Sequence, residues 1–180
     1  CQEVVEPTVD LDKVPILLHN ERDGGPYISA AVVVTAHRKY GQNLDFHRAM
    51  PISKTKMTMR VVEGRHFDTF LKEQGELDVA FCVGNSAPVL VAAGTSVDIG
   101  VNELEIANAL EPFQVVKAKT SNLLIPADCE WVLEGRVYRD ERHAEGPFID
   151  LTETYDVVRQ EPVFEVKCIT HRKDAIWQAL

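Results

Sequence analysis

The apolar positions of this chain come mostly in short strand-like bursts. Tyr27 to Ala36 (YISAAVVVTA) is long and β-branched, and Lys56 to Val62 (KMTMRVV) alternates. Leu77 to Val83, Phe113 to Lys119, Cys129 to Tyr138, Tyr155 to Val158 and Val163 to Thr170 carry the same signals and predict further strands. Helical periodicity is rarer. Gly64 to Gln74 puts Phe67, Phe70 and Leu71 on one face. Ser86 is a candidate cap for Ala87 to Ala93, with Pro88 tolerated in the first turn. Asn102 is a candidate cap for Glu103 to Leu110, and Glu105 stands where a capping box places its acid. Asp174 to Ala179 predicts a last helical turn, and Asp23-Gly24-Gly25-Pro26 is turn chemistry. Helices interrupt the strands mid-chain and the final third is mostly strand. The pattern predicts an α+β fold, a mainly antiparallel barrel or sheet with a few packed helices. A doubly wound parallel sheet is the weaker alternative, because neither GxGxxG nor GxxxxGK occurs.

Composition narrows the class. With 180 residues, 45% hydrophobic and 26% charged, the chain fits one folded domain and not a disordered segment. Its longest apolar runs, Ala30 to Thr35 and Ala87 to Ala93, fall far short of the ~20 residues of a membrane helix. No signal-peptide pattern is visible. The first residue is Cys1 rather than Met, which suggests an excised or processed piece. A net charge of −9 argues against nucleic acid or an anionic membrane as the main partner. Cys1, Cys82, Cys129 and Cys168 show no CxxC spacing. Cys82 and Cys168 lie in apolar runs that suit buried free thiols, so the set fits a reducing cytoplasm.

Four segments place polar residues in unusual settings. Gly41 to Met50 (GQNLDFHRAM) reads, by itself, as a polar hairpin loop between strands. His66 opens a helix, where a lone histidine is ordinarily a surface residue. Asn102-Glu103-Leu104-Glu105 reads as a cap with early acids favoured by the helix dipole. In Glu145-Gly146-Pro147-Phe148-Ile149-Asp150, Gly-Pro fixes the backbone between two carboxylates, which suits acid–base work as well as a plain turn.

Together, in this order and at these intervals, the segments resemble the UbiD family of decarboxylases that use prenylated flavin mononucleotide. The likeness extends through Val9 to Ile16, Asp23 to Ile28, Leu124 to Ala127, Glu130 to Gly135 and Ile169 to Lys173, and the Glu145-Gly146-Pro147-Phe148 segment is its most telling part. It implies that residues 1–180 are the central flavin-binding core, a split β-barrel, of a longer enzyme that is a homo-oligomer. It also implies a flavin prenyltransferase as cofactor supplier.

Carried over by position, the resemblance implies Asn43, His66 and Glu103 as ligands of Mn²⁺ or Mg²⁺, with Glu105 left open as the alternative acid. Such an ion would bridge to the flavin phosphate, and oxygen donors with one imidazole suit it. The cofactor contacts implied are Asn43, Leu44, Phe46, His47, Arg48, Arg65, His66, Ala92, Ala93, Thr95 and Glu103, with K⁺ beside the Ala92–Ser96 loop. Arg48, Glu145 and Asp150 match the family's catalytic arginine and two acids. The resemblance pairs Glu145 with Arg48 and gives Asp150 the proton that replaces CO₂ on a small aromatic or α,β-unsaturated carboxylic acid. Asp150 would serve best if burial raised its pKa. Two other readings stand beside this one: a non-catalytic flavin-phosphate binding module, and a structural subunit of a multi-subunit carboxylase or decarboxylase.

Overall fold

A computed structural model describes residues 1–150 and 152–180. Its elements are β1 (Val4–Val5), β2 (Val32–His37), β3 (Gly41–Phe46), β4 (Ala49–Pro51), β5 (Lys56–Met59), α1 (His66–Gln74), β6 (Glu76–Val83), α2 (Ala87–Ala93), α3 (Glu103–Leu110), β7 (Val115–Lys117), β8 (Leu124–Pro126), β9 (Trp131–Glu145), β10 (Phe148–Ile149), β11 (Tyr155–Asp156) and β12 (Arg159–His171). The main sheet runs β3-β2-β6-β9-β12-β5-β4, with β1 added on β12, and its pairings are antiparallel. The fold is α+β, as expected.

The sheet is open, because its edge strands β3 and β4 do not pair with each other. Those two edges are nonetheless consecutive in the chain, joined only by His47 and Arg48. Three peptide steps confine Phe46 and Ala49 to within about 11 Å. The exit of β3 therefore lies close to the start of β4, but the sheet does not close into the barrel that was expected. The two-residue junction is a seam that carries candidate site residues.

Both faces of the sheet are covered, which explains the continuous apolar runs. Val33, Val79, Phe81, Leu133, Met57 and Phe164 point into one core with Phe67, Phe70 and Leu71 of α1. Val32, Val34, Ala80, Cys82 and Val132 point the other way, against Val89 and Ala92 of α2 and Leu104 and Ala107 of α3. The period-2 alternation of the strands thus splits between two apolar layers. Gly135 lets β9 and β12 close up: a Cβ there would lie 1.9 Å from the Glu165 carbonyl oxygen.

Several local expectations need correction. Gly41 to Met50 is not a hairpin loop but strand β3 and the start of β4, with Asn43 and Leu44 buried. Asn43, Asp45 and His47 face a cleft, so their polarity did not mark solvent. Asp174 to Ala179 forms no helix; the segment is irregular after a turn, with Trp177 packed against the core. The Tyr27–Ala36 run becomes a strand only from Val32, with Tyr27 and Ile28 in isolated bridges. Ser86 occupies the cap position of α2 without donating or accepting a capping bond, and its hydroxyl is buried without a partner. Cys82 is buried and free, whereas Cys168 is only half-buried.

Candidate active site

The cleft of about 240 Å³ beside the seam is lined from three directions. Strand β3 and its exit supply Asn43, Leu44, Asp45, Phe46 and His47. The turn entering α1 supplies Val62, Arg65 and His66. The end of α2 and the start of α3 supply Ala93, Gly94, Thr95, Ser96, Val97 and Glu103. Each group is delivered by an element end. Asn102 Oδ1 accepts from Leu104 N–H (3.1 Å) and starts α3 so that Glu103 occupies its first position. Gly64 N–H donates to Asp68 Oδ2 (2.7 Å), which fixes the turn ahead of His66.

Asn43, His66 and Glu103 therefore meet in one cleft although they are far apart in sequence. The Asn43 Oδ1 lies 2.8 Å from His66 Nδ1, while the Asn43 amide nitrogen is buried without a partner. Glu103 is 2% exposed, accepts from Leu44 N–H at 2.9 Å and has no ion-pair partner among the described residues. Burial pushes its carboxyl above the usual range, against the pull of the Leu44 N–H. An amide oxygen, an imidazole and a buried carboxylate lacking a counter-charge form a donor set that fits a hard divalent cation. Glu105 does not line the cleft.

His47 is buried beside them. Its Nδ1–H donates to the Arg60 carbonyl (2.8 Å), and its Nε2 lies 2.9 Å from Asp45 Oδ1. That approach suits an ion pair, but its angle leaves both atoms without an aligned hydrogen bond. Burial opposes the charged ring, yet the Asp45 charge and the Arg60 carbonyl outweigh it and raise the His47 pKa. Among the remaining expected contacts, Ala92 is fully buried behind the cleft wall and does not line it. The Thr95 hydroxyl and N–H are spent on the carbonyls of Val91 (2.8 Å) and Ala92 (3.0 Å).

Arg48 follows His47 directly and does not line this cleft. It forms a two-pronged pair with Glu145: Nε donates to Oε1 at 2.8 Å and Nη2 to Oε2 at 3.1 Å. Glu145 is fully buried at the end of β9 and also accepts from Tyr27 O–H at 3.0 Å. Burial, and then the Glu145 charge, push the Tyr27 phenol well above its usual range, so it stays a donor. The second acid on Arg48 is Asp156, which accepts from Nη2 at 2.9 Å. Asp150 is not part of this group. It is exposed, its Oδ1 accepts from the Thr152 hydroxyl and N–H, and those bonds lower its pKa. The burial that would have raised it is absent in this conformation.

Tyr27, Asp45 and Asp156 are the site residues that sequence reasoning passed over. Asp45 was within reach, because Asn43, Asp45 and His47 share one face once the segment is read as extended. Tyr27 and Asp156 carry no local signal; only the tertiary fold brings them to Glu145 and Arg48.

Comparison with known proteins shows the family. The family profile described as the 3-octaprenyl-4-hydroxybenzoate carboxy-lyase Rift-related domain matches residues 1–180. The chain belongs to the UbiD family. It is 40% identical to the anhydromevalonate phosphate decarboxylase of Methanothermobacter thermautotrophicus, over 95% of this chain and 42% of that protein. It is 42% identical to the protein of that name from Methanosarcina mazei, over 99% of this chain and 43% of that one. Among solved structures it superposes on the UbiD-class enzyme HmfF from Pelotomaculum thermopropionicum in complex with prenylated FMN, with a TM-score of 0.93 and 32% identity, covering 98% of this chain and 43% of that one. The vanillic acid decarboxylase of Sedimentibacter hydroxybenzoicus gives a TM-score of 0.94 at 30% identity, over 98% and 40% of the two chains. The chain thus spans about two-fifths of the length of these relatives.

Proposed function

We propose that this chain is the flavin-binding core of a decarboxylase that uses prenylated FMN on a small α,β-unsaturated carboxylic acid. The observation that carries the reading is the meeting of Asn43, His66 and Glu103 in one cleft, with the Arg48–Glu145 pair starting at the residue after His47 of its lining. Identity of 40–42% to two anhydromevalonate phosphate decarboxylases favours a phosphorylated, branched unsaturated acid over an aromatic one.

Loss of CO₂ from such an acid leaves carbanion character on carbon, and no side chain here can accept that electron pair. Prenylated FMN, when bound, supplies the electron sink. Asn43, His66 and Glu103 would hold Mn²⁺ or Mg²⁺ against its phosphate, which reconciles an acidic protein with an anionic cofactor. Arg65, exposed at the start of α1, adds a cation at that helix end. Val62, Phe46 and Leu44 give the cleft its apolar wall.

Arg48 orients the substrate carboxylate, and the buried Glu145 fixes the guanidinium plane. Tyr27 O–H holds Glu145 in place through its hydrogen bond. Asp150 delivers the proton once its hairpin moves it off the Thr152 contacts and out of water, where its pKa rises. The test uses the full-length protein co-produced with a flavin prenyltransferase. Asp150→Asn is expected to abolish CO₂ release and retain flavin. Unchanged turnover by that variant removes Asp150 from the mechanism.

A further inference from the structure

The Asp156 carboxylate is the meeting point of three guanidinium groups from separate segments. Arg48 Nη2 donates to Oδ2 at 2.9 Å, Arg159 Nη1 donates to Oδ1, and Arg60 Nε lies 3.7 Å from Oδ2. Arg48 sits in the β3–β4 seam, Arg60 just past β5, and Arg159 opens β12. Two further carboxylates complete the cluster. Glu145 pairs with Arg48, and Glu161 takes Arg60 Nη1 at 2.6 Å and Val61 N–H at 3.3 Å. Three cations face three anions, so the cluster is neutral as it stands.

The three carboxylates are not equally free to leave. All three accept hydrogen bonds, Asp156 also from Val157 N–H at 3.0 Å, but Glu145 is 0% exposed and Glu161 4% exposed, and both sit on the long paired strands β9 and β12. The side chain of Asp156 is 24% exposed and rides on β11. That strand has two residues and, among the described residues, pairs only with the two-residue β10, through Phe148↔Asp156 and Ile149↔Tyr155. So short a ladder contributes little stability of its own. If Asp156 withdraws, Arg48, Arg60 and Arg159 are left around its place with one surplus positive charge. A monoanion restores neutrality where a phosphate dianion overshoots, and a carboxylate also matches the guanidinium fork in shape.

We propose that Asp156 is an internal stand-in for the substrate's carboxylate, displaced from Arg48 when the acid binds, and that Arg60 and Arg159 complete the carboxylate subsite. This rests on the reading of the protein as a carboxylic-acid decarboxylase. Asp156 then acts as a built-in competitor: it weakens substrate binding, and it returns to Arg48 when CO₂, which is neutral, has left. It is a positioning residue and not a proton donor.

The test compares the full-length protein with its Asp156→Asn variant, using acetate as an unreactive monocarboxylate probe in calorimetry. Removing the competitor should tighten acetate binding about tenfold and lower KM for the acid by a similar factor, with kcat changed less. Glu153→Gln, exposed in the same hairpin, should leave acetate affinity unchanged. Unchanged or weaker acetate binding by Asp156→Asn overturns the proposal. Should the variant not fold, a crystal structure of the wild-type protein with acetate decides: acetate on Arg48 with Asp156 displaced supports it, and acetate elsewhere with Arg48–Asp156 intact overturns it. Tighter acetate binding without turnover of any acid would sink the enzymatic reading and leave the subsite standing.

Discussion

Three side chains set the electrostatics at the seam, and each makes a measurable difference. Glu145 is buried and depends on Arg48 and Tyr27 for its hydrogen bonds. Arg48→Ala should cost about 3–5 kcal/mol in urea unfolding, because it strands a buried charge. Tyr27→Phe should cost about 1–2 kcal/mol, the loss of one hydrogen bond to a charged group. Asp156 loses charge stability on burial, but its bonds from Arg159 and Arg48 prevail and hold its pKa at about 2, below the ordinary 3.8. A depressed carboxyl contributes stability above its unfolded pKa and forfeits it as pH falls through the folded one. Its contribution should fade between about pH 4 and pH 2, and Asp156→Asn should flatten that part of the stability profile. With the group partly open to water, the effect is at most about 1 kcal/mol. His47 has the opposite sign. Its raised pKa stabilises the fold below its ordinary 6.5, and that share is lost as pH rises through the folded value. Thermal melts of His47→Gln should lack this decline.

At the scale of elements, strands were the more legible class. The apolar runs at Leu77 to Val83 and Val163 to Thr170 lie within β6 and β12, since a strand covered on both faces must be apolar throughout. Helices α1 to α3 were visible from spacing and caps. The polar strand β3 was not, because its outward face meets a cleft and not a core, and hydropathy treats both polar surroundings alike. The tail 174–179 failed for a related reason: Trp177 is held by tertiary contact with Trp131, not by helical periodicity, and Ile176 is left exposed. Close approach between elements gives a sharp prediction. Gly135→Ala places a Cβ 1.9 Å from the Glu165 carbonyl oxygen in the middle of the β9–β12 pairing. The backbones must part, and the variant should lose about 3 kcal/mol or fail to fold, as read by circular dichroism and urea unfolding.

For the whole molecule, the sheet order draws its two edges together at a two-residue seam, and the cleft opens beside it. The metal-type set was legible as three residues in a resemblance; that they share one cleft was a matter for the fold. Arg48's second acid was illegible, since Asp156 reaches it through a hairpin whose register no local pattern specifies. The central claim is that Asn43, His66 and Glu103 act as one anchor for a flavin phosphate. The most direct measurement is flavin and divalent-metal content per chain, by absorbance and metal analysis, for the full-length protein co-produced with a flavin prenyltransferase. Wild type should carry near one of each, and Glu103→Gln and Asn43→Ala should lose metal and flavin together while remaining folded. Full flavin occupancy in both variants would contradict the account.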